Sequence, residues 1–224
     1  MANPSPHQHI SRQFDQELAT IRNNTLRLGG LAEHQTVLAV KALESNDVNL
    51  AEQVICGDSK LNELEVAVNE QCMQILARRQ PIACDLRLVM AVIKVINDLE
   101  RIGDDAKRIA RITAAMAASP PLRPKLQPLI DFGGNVIKLL HDTLDAFARI
   151  DVETAMEVKQ RDRLLDLQYG NIMQEQISNM SSDPRSIPVA LNLMWAARKL
   201  ERIGDRSCNI CEHTVHYAMG KEAN

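Results

Sequence analysis

The sequence predicts an all-α protein: two tandem, pseudo-symmetric three-helix bundles built from six long helices. Three observations lead there. The pentapeptide Glu-Arg-Ile-Gly-Asp occurs twice, as Glu100 to Asp104 and as Glu201 to Asp205, 101 residues apart, and self-similarity at a fixed lag marks a fold made of repeated units. Glycine and proline, nine of each in 224 residues, gather at a few places and leave long stretches uninterrupted, so the punctuation itself outlines helices. Aromatic residues are only 3% of a chain that is 45% hydrophobic, which leaves Leu, Ile, Val, Ala and Met to fill the core, as suits helix-on-helix packing. No alternating apolar and polar run is long enough to propose a sheet.

The first helix is expected over residues 11–44, with a bend at Gly29-Gly30 and a stop at Asn46-Asp47. The second runs over 47–79 and ends before Pro81, because proline cannot continue a helix and restricts the residue before it. The third begins near Ala83 or Asp85, passes through the first pentapeptide and reaches Ala118. Its apolar residues Leu88, Val92, Val95, Ile96, Leu99, Ile102 and Ile109 recur at steps of three and four, the stripe of a bundle helix. Ser119-Pro120-Pro121 and Pro124 then form a linker, residues 119–124, between a first half, 1–118, and a second half, 125–219. The fourth helix covers 125–149, the fifth 151–180 and the sixth 186–219, with Ser182-Asp183-Pro184 as the turn that matches Pro81. Residues 1–10 and 220–224 read as tails.

The duplication extends beyond the pentapeptide. At a lag of 104, Asp47, Val48, Ala51, Val54, Asp58 and Leu61 match Asp151, Val152, Ala155, Val158, Asp162 and Leu165; at 101, Leu99 and Ile109 match Leu200 and Ile210. The three-residue difference falls in the turn before the third helix of each half, where an insertion costs least.

Composition narrows the function. A net charge of −3, from 26 basic and 29 acidic side chains, supplies no overall attraction for nucleic acid. The Pro-, His- and Asn-rich start has no apolar segment of a secretory signal, so a cytoplasmic location is expected. The most apolar run, Leu88 to Ile96, is broken by Lys94 and falls far short of the roughly 20 residues that span a bilayer. Five cysteines, Cys56, Cys72, Cys84, Cys208 and Cys211, are odd in number and scattered, which suits a reducing compartment rather than a disulfide framework.

The acids carry the chemistry. In each half the second and third helices are antiparallel neighbours, so residues equidistant from their turn lie at similar height. Asp58 and Asn62 thus face Asp104 and Glu100 about Pro81, and Asp162 and Asp166 face Asp205 and Glu201 about Asp183-Pro184. Carboxylates gathered in this way are unfavourable unless protons or a cation neutralise them. All-oxygen ligation suits Mg²⁺, Ca²⁺ or Mn²⁺, and iron where carboxylates cluster. The metal candidates are Asp58, Glu100 and Asp104 in the first half and Asp162, Asp166, Glu201 and Asp205 in the second. Asn62 replaces one carboxylate, so the first set should bind more weakly. The competing reading is a solvated surface paired with Arg101, Lys107, Arg108, Arg198, Arg202 and Arg206.

The paired Glu-Arg-Ile-Gly-Asp helices, the acidic second and fifth helices and the Cys208-Asn209-Ile210-Cys211-Glu212 continuation resemble the PhoU family of phosphate-signalling regulators, from Phe14 to Met219. The resemblance implies a cytoplasmic negative regulator of the phosphate-starvation response. Such a protein acts between a phosphate importer of the ABC type, with its ATPase subunit, and a sensor histidine kinase at the inner membrane. It also implies a homodimer and metal clusters on acidic motifs, with Mg, Mn or Fe as the ion; Asp58 with Asn62 departs from the motif.

Other motifs are weaker. Cys208 and Cys211 form a C-x-x-C with His213 and His216 nearby, yet no second pair completes a zinc site and the motif lies deep inside a helix, so packing is the expectation. His7 and His9 sit in the tail. Glu-x-x-His, the Walker loop and G-x-S-x-G are all absent. Trp195, matched by Lys94 in the first half, is expected partly buried in the core. Two functions remain: a non-catalytic regulatory adaptor, and a metal-dependent phosphohydrolase in which clustered carboxylates hold a cation that activates water. The absence of a histidine beside the acidic pairs favours the adaptor.

Overall fold

The computed structural model describes residues 12–118 and 126–220. Six long helices account for nearly all of them: α1 Arg12–Ser45, α2 Val48–Arg79, α3 Ala83–Ala117, α4 Gln127–Arg149, α5 Val152–Ser182 and α6 Ile187–Met219. A short 3-10 turn, Pro184–Ser186, leads into α6. No strand occurs among the described residues. The expected tail 1–10 and linker 119–124 lie outside the described residues, as do 221–224.

The same local signals end α1 and α4. Asp47 caps α2 by accepting from the backbone N–H groups of Asn49 and Leu50 at 2.8 and 3.2 Å. Asp151 caps α5 by accepting from the N–H and hydroxyl of Thr154 at 3.1 and 2.8 Å. Such caps contribute about 1 kcal/mol each. The residue before each cap turns left-handed, Asn46 with φ 52° and Ile150 with φ 57°. The next N–H then closes back on the helix: Asp47 donates to the Ala42 carbonyl at 3.0 Å and Asp151 to that of Ala146 at 2.9 Å. Both are glycine-type helix ends made without glycine.

α3 packs on α1 and α2, α6 packs on α4 and α5, and α3 and α6 pack on each other between the two bundles. The seam obeys a pseudo-two-fold. Asp98 accepts from Arg206 at 2.9 Å, while Asp105 meets Lys199 at 3.3 Å and Arg202 at 3.0 Å. Lys199 and Arg206 are the positions 101 residues after Asp98 and Asp105, so α3 and α6 run antiparallel and exchange equivalent contacts with opposite charge. The α1–α4 contact repeats the symmetry in apolar form. A Cβ on Gly29 would come 2.6 Å from Leu144 Cδ2, and one on Gly133 would come 3.0 Å from Val40. Gly29 therefore serves close approach of α4, and the expected bend at Gly29-Gly30 is corrected to a continuous α1.

The core is mainly aliphatic as expected, with Leu28, Leu61, Ile96, Leu99, Ile102, Ile109, Leu140, Leu193 and Leu200 fully buried and Phe132 among them as an aromatic exception. The glycine of the first pentapeptide lets α2 come close: a Cβ on Gly103 would meet Leu61 Cδ1 at 2.7 Å, whereas one on Gly204 would make only ordinary contact with Asp162 and Leu165 of α5. The first copy of the motif thus combines a packing residue with the acids that flank it. No described helix is long and apolar enough to cross a membrane.

Candidate functional site

Two carboxylate faces result, one on the α2–α3 hairpin and one on α5–α6. On the second face Asp162, Asp166, Glu201 and Asp205 lie close enough to perturb one another. Burial first, then the charges of Asp205, Asp166 and Asp162, push the Glu201 carboxyl above the ordinary range, opposed by Arg198. Burial and Asp166 push Asp162 up, and burial foremost does the same to Asp205. On the first face burial, then Asp104, Glu65 and Asp58, raise Glu100.

Glu65 is not among the residues that the duplicated motif picks out. It follows Asp58 and Asn62 at the seventh and third position on the same strip of α2, a spacing that marks it as their neighbour. Tyr169 stands at the matching place in α5, so comparing the halves conceals it.

The neighbouring cations divide. Lys107 Nζ lies 2.5 Å from Asp58 Oδ2, and the Arg198 guanidinium holds Glu201 Oε1. Arg202 and Arg206 turn away into the α3–α6 seam, and Arg101 donates to Asn97 Oδ1 at 3.3 Å. The surface-pairing reading therefore accounts for two contacts with these acids and leaves other acceptors open. Asp58 Oδ1, Asn62 Oδ1 and Glu201 Oε2 are buried and have no hydrogen-bond partner, although the Asp58 side chain is only 4% exposed. Burying an acceptor without a partner costs about 1–3 kcal/mol, more for a charged group.

Among the described residues, no group of three or more His, Cys, Asp or Glu side chains is placed where it could hold one metal ion. Two of the orphaned oxygens, Asp58 Oδ1 and Glu201 Oε2, are of the hard, anionic donor type that a divalent cation takes, and Asn62 Oδ1 is a neutral amide oxygen. The residues that the sequence puts forward for such an ion are Asp58, Glu100 and Asp104 on α2–α3, and Asp162, Asp166, Glu201 and Asp205 on α5–α6.

The C-x-x-C residues point to different surroundings. Cys208 lies beside Asp162 on the α5–α6 face, whereas Cys211 Sγ lies in the core 3.6 Å from Thr143 Oγ1. Burial pushes the Cys211 thiol up to about 11 and raises Cys208 further, with Asp162 adding to the shift. His213 reaches Asp98 in the seam at 3.4 Å, and His141 pairs with Glu33 between α4 and α1 at 2.9 Å; neither stands on a carboxylate face. Trp195 corrects its expectation, since it is 59% exposed. It joins Ile177, Ile187 and Leu191 near the α5–α6 turn, as Met73, Leu86 and Met90 are exposed near the α2–α3 turn.

Comparison with known proteins agrees with this architecture. The model of a family described as the PhoU domain matches twice, at residues 25–113 and 129–214, one match per bundle. The chain is 45% identical over 222 residues to the phosphate-specific transport system accessory protein PhoU of Serratia marcescens, covering 99% of this chain and 91% of that protein. The crystal structure of PhoU from Pseudomonas aeruginosa superposes with a TM-score of 0.90 at 41% identity, covering 93% of this chain and all of the other. That of the phosphate transport system regulatory protein PhoU from Streptococcus pneumoniae gives 0.87 at 31%, covering 95% and 100%. The matched proteins are accessory and regulatory proteins rather than enzymes, and with two domain matches that coincide with its two bundles, this chain belongs to the PhoU family.

Proposed function

We propose that this chain is a cytoplasmic negative regulator of the phosphate-starvation response, an adaptor that couples a phosphate ABC importer, through its ATPase subunit, to a sensor histidine kinase and thereby modulates phosphate uptake. The name its relatives share, phosphate-specific transport system accessory protein, supports the transport side. The single observation that supports docking is the pair of exposed apolar patches, Met73, Leu86 and Met90 in one half and Ile177, Ile187, Leu191 and Trp195 in the other. Large apolar side chains grouped on a surface mark contact sites, and their recurrence in both halves argues for use rather than accident.

In this reading the carboxylate faces hold divalent or transition cations, Mg, Mn or Fe. A bound ion would neutralise the facing acids and tie α2 to α3 and α5 to α6. The adaptor works by population shift: it binds one state of the transporter better than another, and occupancy biases the kinase toward its signalling-off form. The chain acts as a homodimer. In a host lacking this protein, phosphate-starvation genes should be expressed in phosphate-rich medium, and restoring the chain should silence them. Continued silence without the protein would contradict the proposal.

A further inference from the structure

A cleft of about 220 Å³ opens between α4 and α5 of the second bundle. None of the carboxylate-face acids lines it, nor do the exposed apolar residues near the helix turns. Its apolar lining is Leu139 and Leu165, both buried, with Leu164 beside them 63% exposed. Two amides link its walls, Asn135 Nδ2 donating to Gln168 Oε1 at 3.1 Å. Two cations complete the lining. Arg161 gives one terminal nitrogen to Asp142 Oδ2 at 2.7 Å, while its Nε is buried without a partner. Lys138 is exposed and has no ion pair among the described residues.

These features complement one kind of molecule. A buried N–H without an acceptor is unfavourable, more so on a charged group, and an oxyanion in the cleft would supply the acceptor. Asp142 already answers the charge of Arg161, so the ammonium of Lys138 is the charge left for a ligand. A single exposed leucine needs no explanation; beside two cations and an unpaired donor, Leu164 makes the cleft amphipathic, the character of a small-molecule site. The other bundle shows that the repeat does not require this set of residues. At the lag of 104, Lys138, Arg161, Leu164 and Gln168 correspond to His34, Gly57, Lys60 and Leu64. There Gln35, the counterpart of Leu139, reaches over the glycine, since a Cβ on Gly57 would stand 3.2 Å from Gln35 Nε2.

We propose that the α4–α5 cleft binds a small organic oxyanion, one phosphate or carboxylate group on a short aliphatic body. The oxyanion accepts from Arg161 Nε and the Lys138 ammonium, and the aliphatic body lies against Leu139, Leu164 and Leu165. Small-molecule sites commonly run to roughly 300–1,000 Å³, so the smaller volume here selects a ligand of few atoms over a nucleotide. This goes beyond the adaptor reading and does not depend on it.

The test is two-dimensional NMR of the full-length chain carrying ¹³C-labelled leucine methyls, titrated separately with n-butyl phosphate, butyrate and inorganic phosphate. At least one butyl anion should shift the methyl signals of Leu139, Leu164 and Leu165 saturably and bind about tenfold more tightly than inorganic phosphate, because buried methylenes add affinity. The tighter of the two butyl anions distinguishes a phosphate from a carboxylate ligand. Lys138→Glu and Leu164→Asp leave Arg161 and Asp142 paired, and each should weaken binding about tenfold or more. His34→Glu, at the twin position of Lys138, should leave it unchanged, and circular dichroism checks that each variant keeps its helices. No saturable shift with either butyl anion, equally tight binding of inorganic phosphate, or unchanged affinity in Lys138→Glu would overturn the proposal.

Discussion

Glu201 is held at one oxygen by Arg198 and left without a partner at the other, and its neighbours Asp162 and Asp205 share its raised proton affinity. Folded carboxyls that bind protons more tightly than unfolded ones stabilise the fold at low pH and withdraw that stability as pH rises. The metal-free protein should therefore lose stability from the ordinary carboxylate range up to the raised folded values of Glu100, Asp162, Glu201 and Asp205. In urea denaturation as a function of pH, Glu201→Gln with Asp205→Asn should flatten this decline, and an unchanged slope would contradict carboxyl burial as its cause. Asn62→Asp tests the other face. It supplies the carboxylate that Asp166 provides in the second half, so it should raise the affinity of the α2–α3 face for Mg²⁺ or Mn²⁺ in equilibrium dialysis, and lower stability in the metal-free state. At this scale the sequence is legible where residues obey the lag. Asp58, Glu100, Asp104, Asp162, Asp166, Glu201 and Asp205 can all be placed by symmetry. Glu65 has no acidic twin, and Trp195 faces outward where its twin Lys94 would; a core place for Trp195 follows from residue type, whereas its lysine counterpart points to solvent.

Helix ends show how much conformational cost the fold tolerates. Ile150 takes φ 57° at the end of α4, where its counterpart Asn46 takes 52°. A left-handed backbone costs an L-residue roughly 1–2 kcal/mol, and asparagine bears it better than a β-branched side chain. Ile150→Gly should therefore raise stability by about 1 kcal/mol, seen as a rise in thermal midpoint of roughly 2–4 °C for a chain of this size. The opposite effect is expected at Gly103. A Cβ there already meets Leu61 Cδ1 at 2.7 Å, so Gly103→Leu should push α2 from α3 and cost about 1–3 kcal/mol or more in urea denaturation. Helix boundaries are legible to within about three residues because Asp47, Pro81, Asp151 and Pro184 are physical stop and start signals. Gly29 is not, because a glycine inside a helix pattern reads as a weak point until the helix packed against it is known. Leu144, 115 residues away, supplies the reason.

Across the whole molecule, opposite charges at equivalent positions make the seam between halves complementary. Asp98 and Asp105 on α3 answer Lys199 and Arg206 on α6, and the Asp105 side chain is only 3% exposed. Removing one partner of a buried ion pair leaves the other charge stranded, at a cost of about 3–5 kcal/mol. Asp105→Ala, which strands Lys199, should thus be among the most destabilising single truncations of a polar residue in urea denaturation. Two bundles in tandem can be foreseen from the lag, but their docking cannot, since alignment of the halves emphasises what they share and the seam depends on where they differ in sign. In the proposed function, metal held by the carboxylate faces joins the duplicated acids to the regulatory role, and elemental analysis of the natively purified protein beside a Glu201→Ala, Asp205→Ala variant tests it. A divalent or transition metal in the parent that is depleted in the folded variant is the expected result. No metal in the parent, or the same content in both, would contradict it.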